Sequence, residues 1–228
     1  MSAVEVVSAD GYLWCVPSWW NRACYIPLTA HEADEVSSLR RLFPDPEKTF
    51  IDVGANTGFY SIKLAAHFAR VVAFEPDSEN AALLAVNAAL NHCENVSVLP
   101  LAAWQKLAPV SLLIMNPGIP MRSRAHWTVH EESDAPDPFE HDRQDHLIGL
   151  PIDAMPTVAV GLIKIDVEGC GDKVLRGAEA TITRDRPLIQ MEVHNEGERD
   201  ALRSLLGPLG YQRIESQSEE RERWAVLS

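Results

Sequence analysis

Thr49-Phe50-Ile51-Asp52-Val53-Gly54-Ala55-Asn56-Thr57-Gly58 decides how the rest of the chain is read. Five mostly apolar residues form a short buried strand, and the glycine-spaced turn that follows leads into a helix from Phe59 to about Ala69. Downstream, Val71-Val72-Ala73-Phe74-Glu75 is a second strand, stopped by Pro76, which lacks the N–H a strand ladder needs. The Ala- and Leu-rich stretch from Ser78 to Asn91 is helical with Ser78 as its N-cap, and Val96 to Leu99 is a third strand. A near-continuous apolar strand over Val158–Val167, a helix over Val174–Thr183, a strand over Leu188–Val193 and a helix over Glu198–Leu206 extend the alternation. Gln212–Glu215 and Trp224–Leu227 close the chain as a hairpin. Such alternation predicts an α/β fold: a mostly parallel sheet finished by a terminal antiparallel hairpin, with helices on both faces.

Upstream, Asp10-Gly11 is a turn dipeptide before Tyr12 to Val16, so a hairpin is expected, followed by a helix over His31–Phe43 that Pro44 and Pro46 end. Residues 1–47 read as a cap region and 48–228 as the main domain. Trp14, Trp19 and Trp20 concentrate in the cap and suit packing on the main domain, a lid, or a contact through which the chain forms an oligomer. Ser111–Met115 is a further strand, antiparallel to its neighbours, and at about 116–148 lies an acidic, Pro- and His-rich loop insertion without helical or strand period. His126, His130, His141 and His146, with Trp127 and Phe139, mark it as a solvated excursion or a lid.

With 20 Lys and Arg against 33 Asp and Glu, the 228 residues carry a formal charge of -13, which argues against polyanionic partners. Neither nucleic acid nor a membrane is expected as a partner, and no stretch approaches the roughly 20 apolar residues of a bilayer span. A cytoplasmic setting follows from that and from an N-terminus without a signal pattern. Cys15, Cys24, Cys93 and Cys170 show no metal-ligand spacing and read as reduced thiols.

The chemistry lies in Asp52, Gly54, Asn56, Gly58 and Glu75. Small residues between strand and helix let backbone approach a ligand, and an acidic side chain ending the next strand can accept both hydroxyls of a ribose. The loop is G-x-N-x-G rather than the G-x-G-x-x-G that seats a pyrophosphate, so the pattern favours S-adenosylmethionine over NAD. Asp52 and Asn56 then line the methionine end and Glu75 the ribose. Ala102 and Ala103, with Trp104, are candidates for the adenine wall, although Trp104 serves equally as packing.

FIDVGANTGFYSIKLA, VVAFEPDSENAALLAVNAALN, LIKIDVEGCGDKVLRGAEATI and PLIQMEVH together resemble successive blocks of the FkbM family of S-adenosylmethionine-dependent methyltransferases, over about Thr49 to His194. The resemblance implies the Rossmann-like class I methyltransferase fold with a seven-stranded sheet, and O-methylation of secondary metabolites and sugars. It also implies that the strands ending in Lys164-Ile-Asp166-Val-Glu168 and Met191-Glu192-Val-His194 are neighbours, which gathers Asp166, Glu168, Glu192 and His194 beside the transferable methyl. Where the family carries an acidic, leucine-containing stretch after KIDVEG, this chain has Cys170-Gly-Asp-Lys173.

An alcohol needs a base to accept its proton, and His194 has the most suitable intrinsic acidity, with Asp166, Glu168 or Glu192 orienting it or acting instead. Asp166 counts among the cofactor-binding residues as well. A divalent metal is conceivable at these carboxylates but not favoured, so no metal ligands are assigned. The expected function is methyl transfer from S-adenosylmethionine to a hydroxyl of a small molecule, neutral or cationic because the rim is acidic. The alternatives are N- or C-methylation, a catalytically silent cofactor-binding module and, third, an NAD-dependent dehydrogenase.

Overall fold

The computed structural model describes residues 4–18, 33–42, 46–114, 127–131, 143–156, 159–214 and 221–226. Two compact units divide at residue 100, Met1–Pro100 and Leu101–Ser228.

In the first unit, β1 (Val4–Ala9) and β2 (Tyr12–Pro17) form the expected hairpin. Asp10 and Gly11 both take positive φ, 52° and 80°, and Ala9 pairs with Tyr12, as a two-residue primed turn requires. Helix α1 spans Ala33–Leu42, within the predicted range. Strand β3 (Thr49–Val53) is buried throughout and runs through the glycine loop into α2 (Phe59–Leu64) and a 3-10 turn (Ala65–His67), a shorter and tighter element than predicted. Strand β4 (Arg70–Phe74), helix α3 (Ser78–Leu90) and β5 (Val96–Leu99) follow, with β3–β4 and β4–β5 parallel. The N-cap of α3 is Asp77, not Ser78: its carboxyl accepts from the backbone N–H of Glu79 and Asn80, at the spacing of an N-cap side chain.

The hairpin is held by two asparagines of α3 four residues apart, on one face of the helix. Asn87 accepts from Cys15 N–H and donates to Cys15 O (3.2 Å), while Asn91 accepts from Leu13 N–H (2.9 Å) and donates to Leu13 O (2.7 Å). Each amide thereby imitates a neighbouring strand for β2. Trp14, fully buried, stacks on Phe59 at 6.0 Å between centroids and joins Val7, Val16 and Ile62, so it packs within this unit. Trp19, Trp20 and Cys24 lie outside the described residues.

The second unit opens with β6 (Ala102–Ala103), β7 (Ala108–Ile114), β8 (Trp127–Glu131) and β9 (Arg143–Leu150), which form a four-stranded sheet in the order β6-β9-β7-β8. Strand β7 is antiparallel to both β8 and β9, as predicted for Ser111–Met115. The segment at 116–148 therefore contains two strands that the sequence reading treated as loop. Alternation in β9 is weak because its partly exposed residues Arg143, Asp145 and Leu147 mix charged with apolar side chains. His126, Phe139 and His141 are outside the described residues.

Strand β10 (Val160–Ile165), helices α4 (Gly171–Arg176) and α5 (Glu179–Asp185), β11 (Leu188–Glu192), α6 (Glu196–Leu206), β12 (Tyr211–Ile214) and β13 (Arg221–Val226) complete the chain. The single helix predicted over Val174–Thr183 is broken at Gly177 and Ala178. A Cβ on Gly177 would lie 2.0 Å from the carbonyl oxygen of Trp104, and the Gly177 carbonyl accepts from Asp153 N–H at 2.9 Å. Asp153 then caps α5 by accepting from Ala180 and Thr181. The seven-stranded sheet has the order β12-β13-β11-β10-β3-β4-β5, with β10 parallel to β11 and the β12–β13 hairpin antiparallel. The predicted α/β class and terminal hairpin both hold.

Candidate functional site

In the first unit the loop after β3 has an alternating backbone: Gly54, Asn56 and Gly58 take φ of 73°, 52° and 95°. Glycine reaches that region freely, and asparagine tolerates it better than most other residues, so G-x-N-x-G is the sequence form of three left-handed residues in alternate positions. At Gly58 a Cβ would also meet Leu84 Cγ at 2.8 Å. The N–H groups of Gly54 and Ala55 both donate to Phe74 O at 3.0 Å, which ties the loop to the end of β4.

Glu75 sits beneath this loop, 1% exposed. Its Oε2 accepts from Asn56 N–H at 2.7 Å and its Oε1 from Asp77 N–H at 2.9 Å. Burial outweighs these hydrogen bonds and pushes the Glu75 carboxyl up to about 8. Asp52, fully buried, accepts from Ser61 Oγ at 2.7 Å, and Asn56 Oδ1 accepts from Thr57 N–H at 2.8 Å. Asn87, the residue that grips the hairpin, also donates to Thr57 O at 2.9 Å, so hairpin, α3 and glycine loop share one buried amide. Four predicted residues, Gly54, Asn56, Gly58 and Glu75, thus form one bonded constellation with Asp52 at its strand end.

The second unit places Ala102 and Ala103 in β6, buried and paired with Gly149 and Leu150 of β9. Trp104 is 2% exposed and packs with Ala102, Ala108 and Val110, and its indole N–H donates to Glu131 Oε1 at 2.9 Å.

Asp166, Glu168, Glu192 and His194 do converge. His194 Nε2 lies 3.5 Å from Glu168 Oε2 and 3.6 Å from Glu192 Oε1. Lys164, buried, is 3.2 Å from Asp166 Oδ2, and Arg221 Nε is 3.1 Å from Glu192 Oε2. Burial raises Glu168 to about 7; His194 opposes the shift, while the charges of Asp166, Glu192 and Glu198 reinforce it. Burial opposes ionisation of Asp166 too, but Lys164, with Arg221 and His194, holds it below the usual carboxylate range. Burial and then Asp166 raise Glu192. Asp166, Glu192 and His194 each offer a ligand atom within 4.8 Å of the others, a spacing a cation could bridge, yet Lys164 and Arg221 already bring positive charge to those carboxylates.

Two features here were missed. Cys170 donates from Sγ to Val129 O at 3.2 Å, which fastens β8 to the loop after β10; burial raises its thiol to about 11, so it is an inert contact rather than a nucleophile. Glu198, 1% exposed, accepts from both Gly171 N–H and His194 N–H at 2.7 Å. The Asn195-x-x-Glu198 spacing of a capping box signalled that residue.

The sheet order, the glycine loop and the acid at the end of β4 define a class I methyltransferase fold. The FkbM methyltransferase domain model matches residues 52–213, and the chain belongs to that family. Among solved structures the fold is similar to methyltransferase FkbM from Methylobacillus flagellatus KT (TM-score 0.56, 18% identity), covering 80% of this chain and 44% of that one. It is also similar to TYW2 of M. jannaschii in complex with AdoMet (0.50, 14%; 100% and 88%) and to Trm5b of Pyrococcus abyssi (0.51, 12%; 99% and 55%). The chain thus spans less than half of the M. flagellatus protein. A search of curated proteins gave no match.

These likenesses correct one expectation. The solved structures that share this fold include tRNA methyltransferases, so the expectation of no nucleic-acid partner is overturned. The physical reason is that a net charge of -13 sums the whole chain and does not describe the surface a substrate meets. Among the described residues no helix is long and apolar enough to cross a membrane.

Proposed function

We propose that the chain binds S-adenosylmethionine at the glycine loop and catalyses transfer of its methyl to a hydroxyl of a small metabolite, a sugar or natural-product scaffold. The observation that carries this reading is the bonded pair of the G-x-N-x-G loop and Glu75, in a chain whose family is the FkbM methyltransferases. The loop suits a cofactor without phosphates, since its spacing is G-x-N-x-G rather than the G-x-G-x-x-G that seats a pyrophosphate. Asp52 and Asn56 serve the methionine end, Glu75 the ribose hydroxyls, and Ala102 and Ala103 the adenine. Bound there, the cofactor supplies a methyl group on a sulfonium, an electrophile that needs no metal.

The chain's own part is to hold the acceptor in line and take its proton. With the cofactor held there, the acceptor's O–H proton would pass to His194 as its oxygen takes the methyl, and the electron pair of the broken S–C bond would remain on sulfur as a neutral thioether. Glu168 and Glu192, 3.5 and 3.6 Å from Nε2, stabilise the imidazolium that results. Asp166 stays ionised beside Lys164 and orients the same group.

A nucleotide of RNA as acceptor is the second reading, favoured by the fold shared with TYW2 and Trm5b. Incubation with methyl-labelled S-adenosylmethionine and separate pools of hydroxylated metabolites and tRNA tests both. Label in an alkali-stable ether of the metabolite pool supports the first, and label in tRNA supports the second. Tight cofactor binding with no label in any pool would make the chain a binding module.

A further inference from the structure

Glu198 is a buried carboxyl of the second unit that the proposed chemistry does not use, and its surroundings give it a task. It sits in the first turn of α6, where Asn195 Oδ1 accepts its N–H at 3.0 Å. In a capping box the acid turns back to the N–H of the cap residue itself. Here it reaches one residue further, to His194 N–H, and with its other oxygen crosses to Gly171 N–H, each at 2.7 Å. The two acceptors therefore join the loop after β10, which carries Asp166 and Glu168, to the loop after β11, which carries His194. Its Oε2 also lies 3.8 Å from His194 Nδ1, on the side of the ring opposite the Nε2 that faces Glu168 and Glu192.

Residue 171 is fitted to this bridge. A Cβ there would meet Met191 Cε at 2.1 Å and Glu198 Oε1 at 2.9 Å, so a larger residue would have to push aside the methionine tip and the carboxyl that accepts this N–H. The departure Cys170-Gly171-Asp172-Lys173, which the family resemblance leaves unexplained, thereby acquires a reason at its second residue.

We propose that Glu198 is a positioning residue: its carboxyl clamps the loops after β10 and β11 together and holds the His194 ring with Nε2 turned to Glu168 and Glu192. This rests on His194 being the base of the proposed methyl transfer. Held only by solvent, two loops would sample many separations, and misplacement on the order of 1 Å costs about a hundredfold in rate.

The test compares the full wild-type chain with Glu198→Gln, which keeps size and one acceptor oxygen but turns the other into a donor. In 15N-labelled protein, the Gly171 and His194 amides of the variant exchange with deuterium about tenfold faster, as expected when a bond to a charged group is lost. The His194 ring nitrogens shift, and label transfer from S-adenosylmethionine into the accepting pool slows about tenfold or more, with KM for the cofactor unchanged. Unchanged exchange at both amides with unmoved ring signals overturns the proposal, and so does a uniform acceleration over all amides, which marks plain loss of stability. If Glu198→Gln fails to fold, Glu198→Asp, too short to reach both loops, is read by the same signals. Absence of S-adenosylmethionine binding by the wild type sinks the proposed function alone, since the exchange and ring signals are recorded without cofactor.

Discussion

The glycine loop of the first unit and the carboxyl cluster of the second are built on opposite principles. The loop is made of backbone: three left-handed residues, N–H groups satisfied by Phe74 O and Glu75, and one buried amide, Asn87, fastening it to the hairpin. The cluster is made of charge: Asp166, Glu168, Glu192 and His194, balanced by Lys164 and Arg221. A backbone cradle fixes shape and suits holding a cofactor in one pose. A charged cluster fixes proton affinity and suits chemistry. Substitutions in the two regions should therefore fail in different ways.

The largest effect is expected in the cluster. His194→Gln should lower methyl transfer by about 10²- to 10⁴-fold, the usual yield of a positioned base, and leave cofactor affinity within twofold in calorimetry. A variant that loses cofactor binding instead would erase the contrast between the regions.

In the loop, Glu75→Gln should weaken S-adenosylmethionine binding by about 10- to 100-fold, since its amide sets a donor against the Asn56 or Asp77 N–H, and a buried polar group left unpaired costs about 1–3 kcal/mol. The same residue gives a pH signature. With its carboxyl raised to about 8 in the folded chain from an ordinary 4.5, Glu75 keeps a proton where the unfolded chain has lost it. The folded state then binds more protons, so this group's contribution to stability falls as pH climbs from about 4.5 to about 8. Glu168, raised to about 7, adds to the fall with the same sign. Urea denaturation at pH 6 and pH 8.5 should show the drop in wild type and a smaller one in Glu75→Gln.

Asn87→Ala removes the amide shared by hairpin and loop, and should cost about 1–3 kcal/mol by leaving buried backbone groups unpaired. Cofactor affinity should fall with it, and denaturation beside calorimetry reads both. Asp77→Ala, which removes the cap of α3, is the smallest, at about 1 kcal/mol of stability and little change in binding.

The two regions also differed in how much of them could be read from sequence. Strand β3, the loop and Glu75 were legible because they depend on local rules: a buried apolar run, small residues that permit positive φ, and an acid placed where a strand stops. The convergence of Glu168, Glu192 and His194 was legible once the family resemblance made the two strands that carry them neighbours. What escaped depends on partners distant in sequence. The break in the α4–α5 stretch comes from the approach of Trp104 O to Gly177, 73 positions away, and nothing in VLRGAEA shows it. Strands β8 and β9 were lost in an acidic segment whose pairing with β7, not its own periodicity, makes it sheet. Asn87 and Asn91 looked like ordinary helix residues until β2 lay against them. Total charge misled most, because it was taken to speak for one surface.

Calorimetry of the full chain with S-adenosylmethionine, S-adenosylhomocysteine and NAD addresses the central claim directly. The cradle of Gly54, Asn56, Gly58 and Glu75 predicts saturable one-to-one binding of both S-adenosyl compounds and no heat with NAD. Binding of NAD together with silence toward the S-adenosyl pair would contradict it.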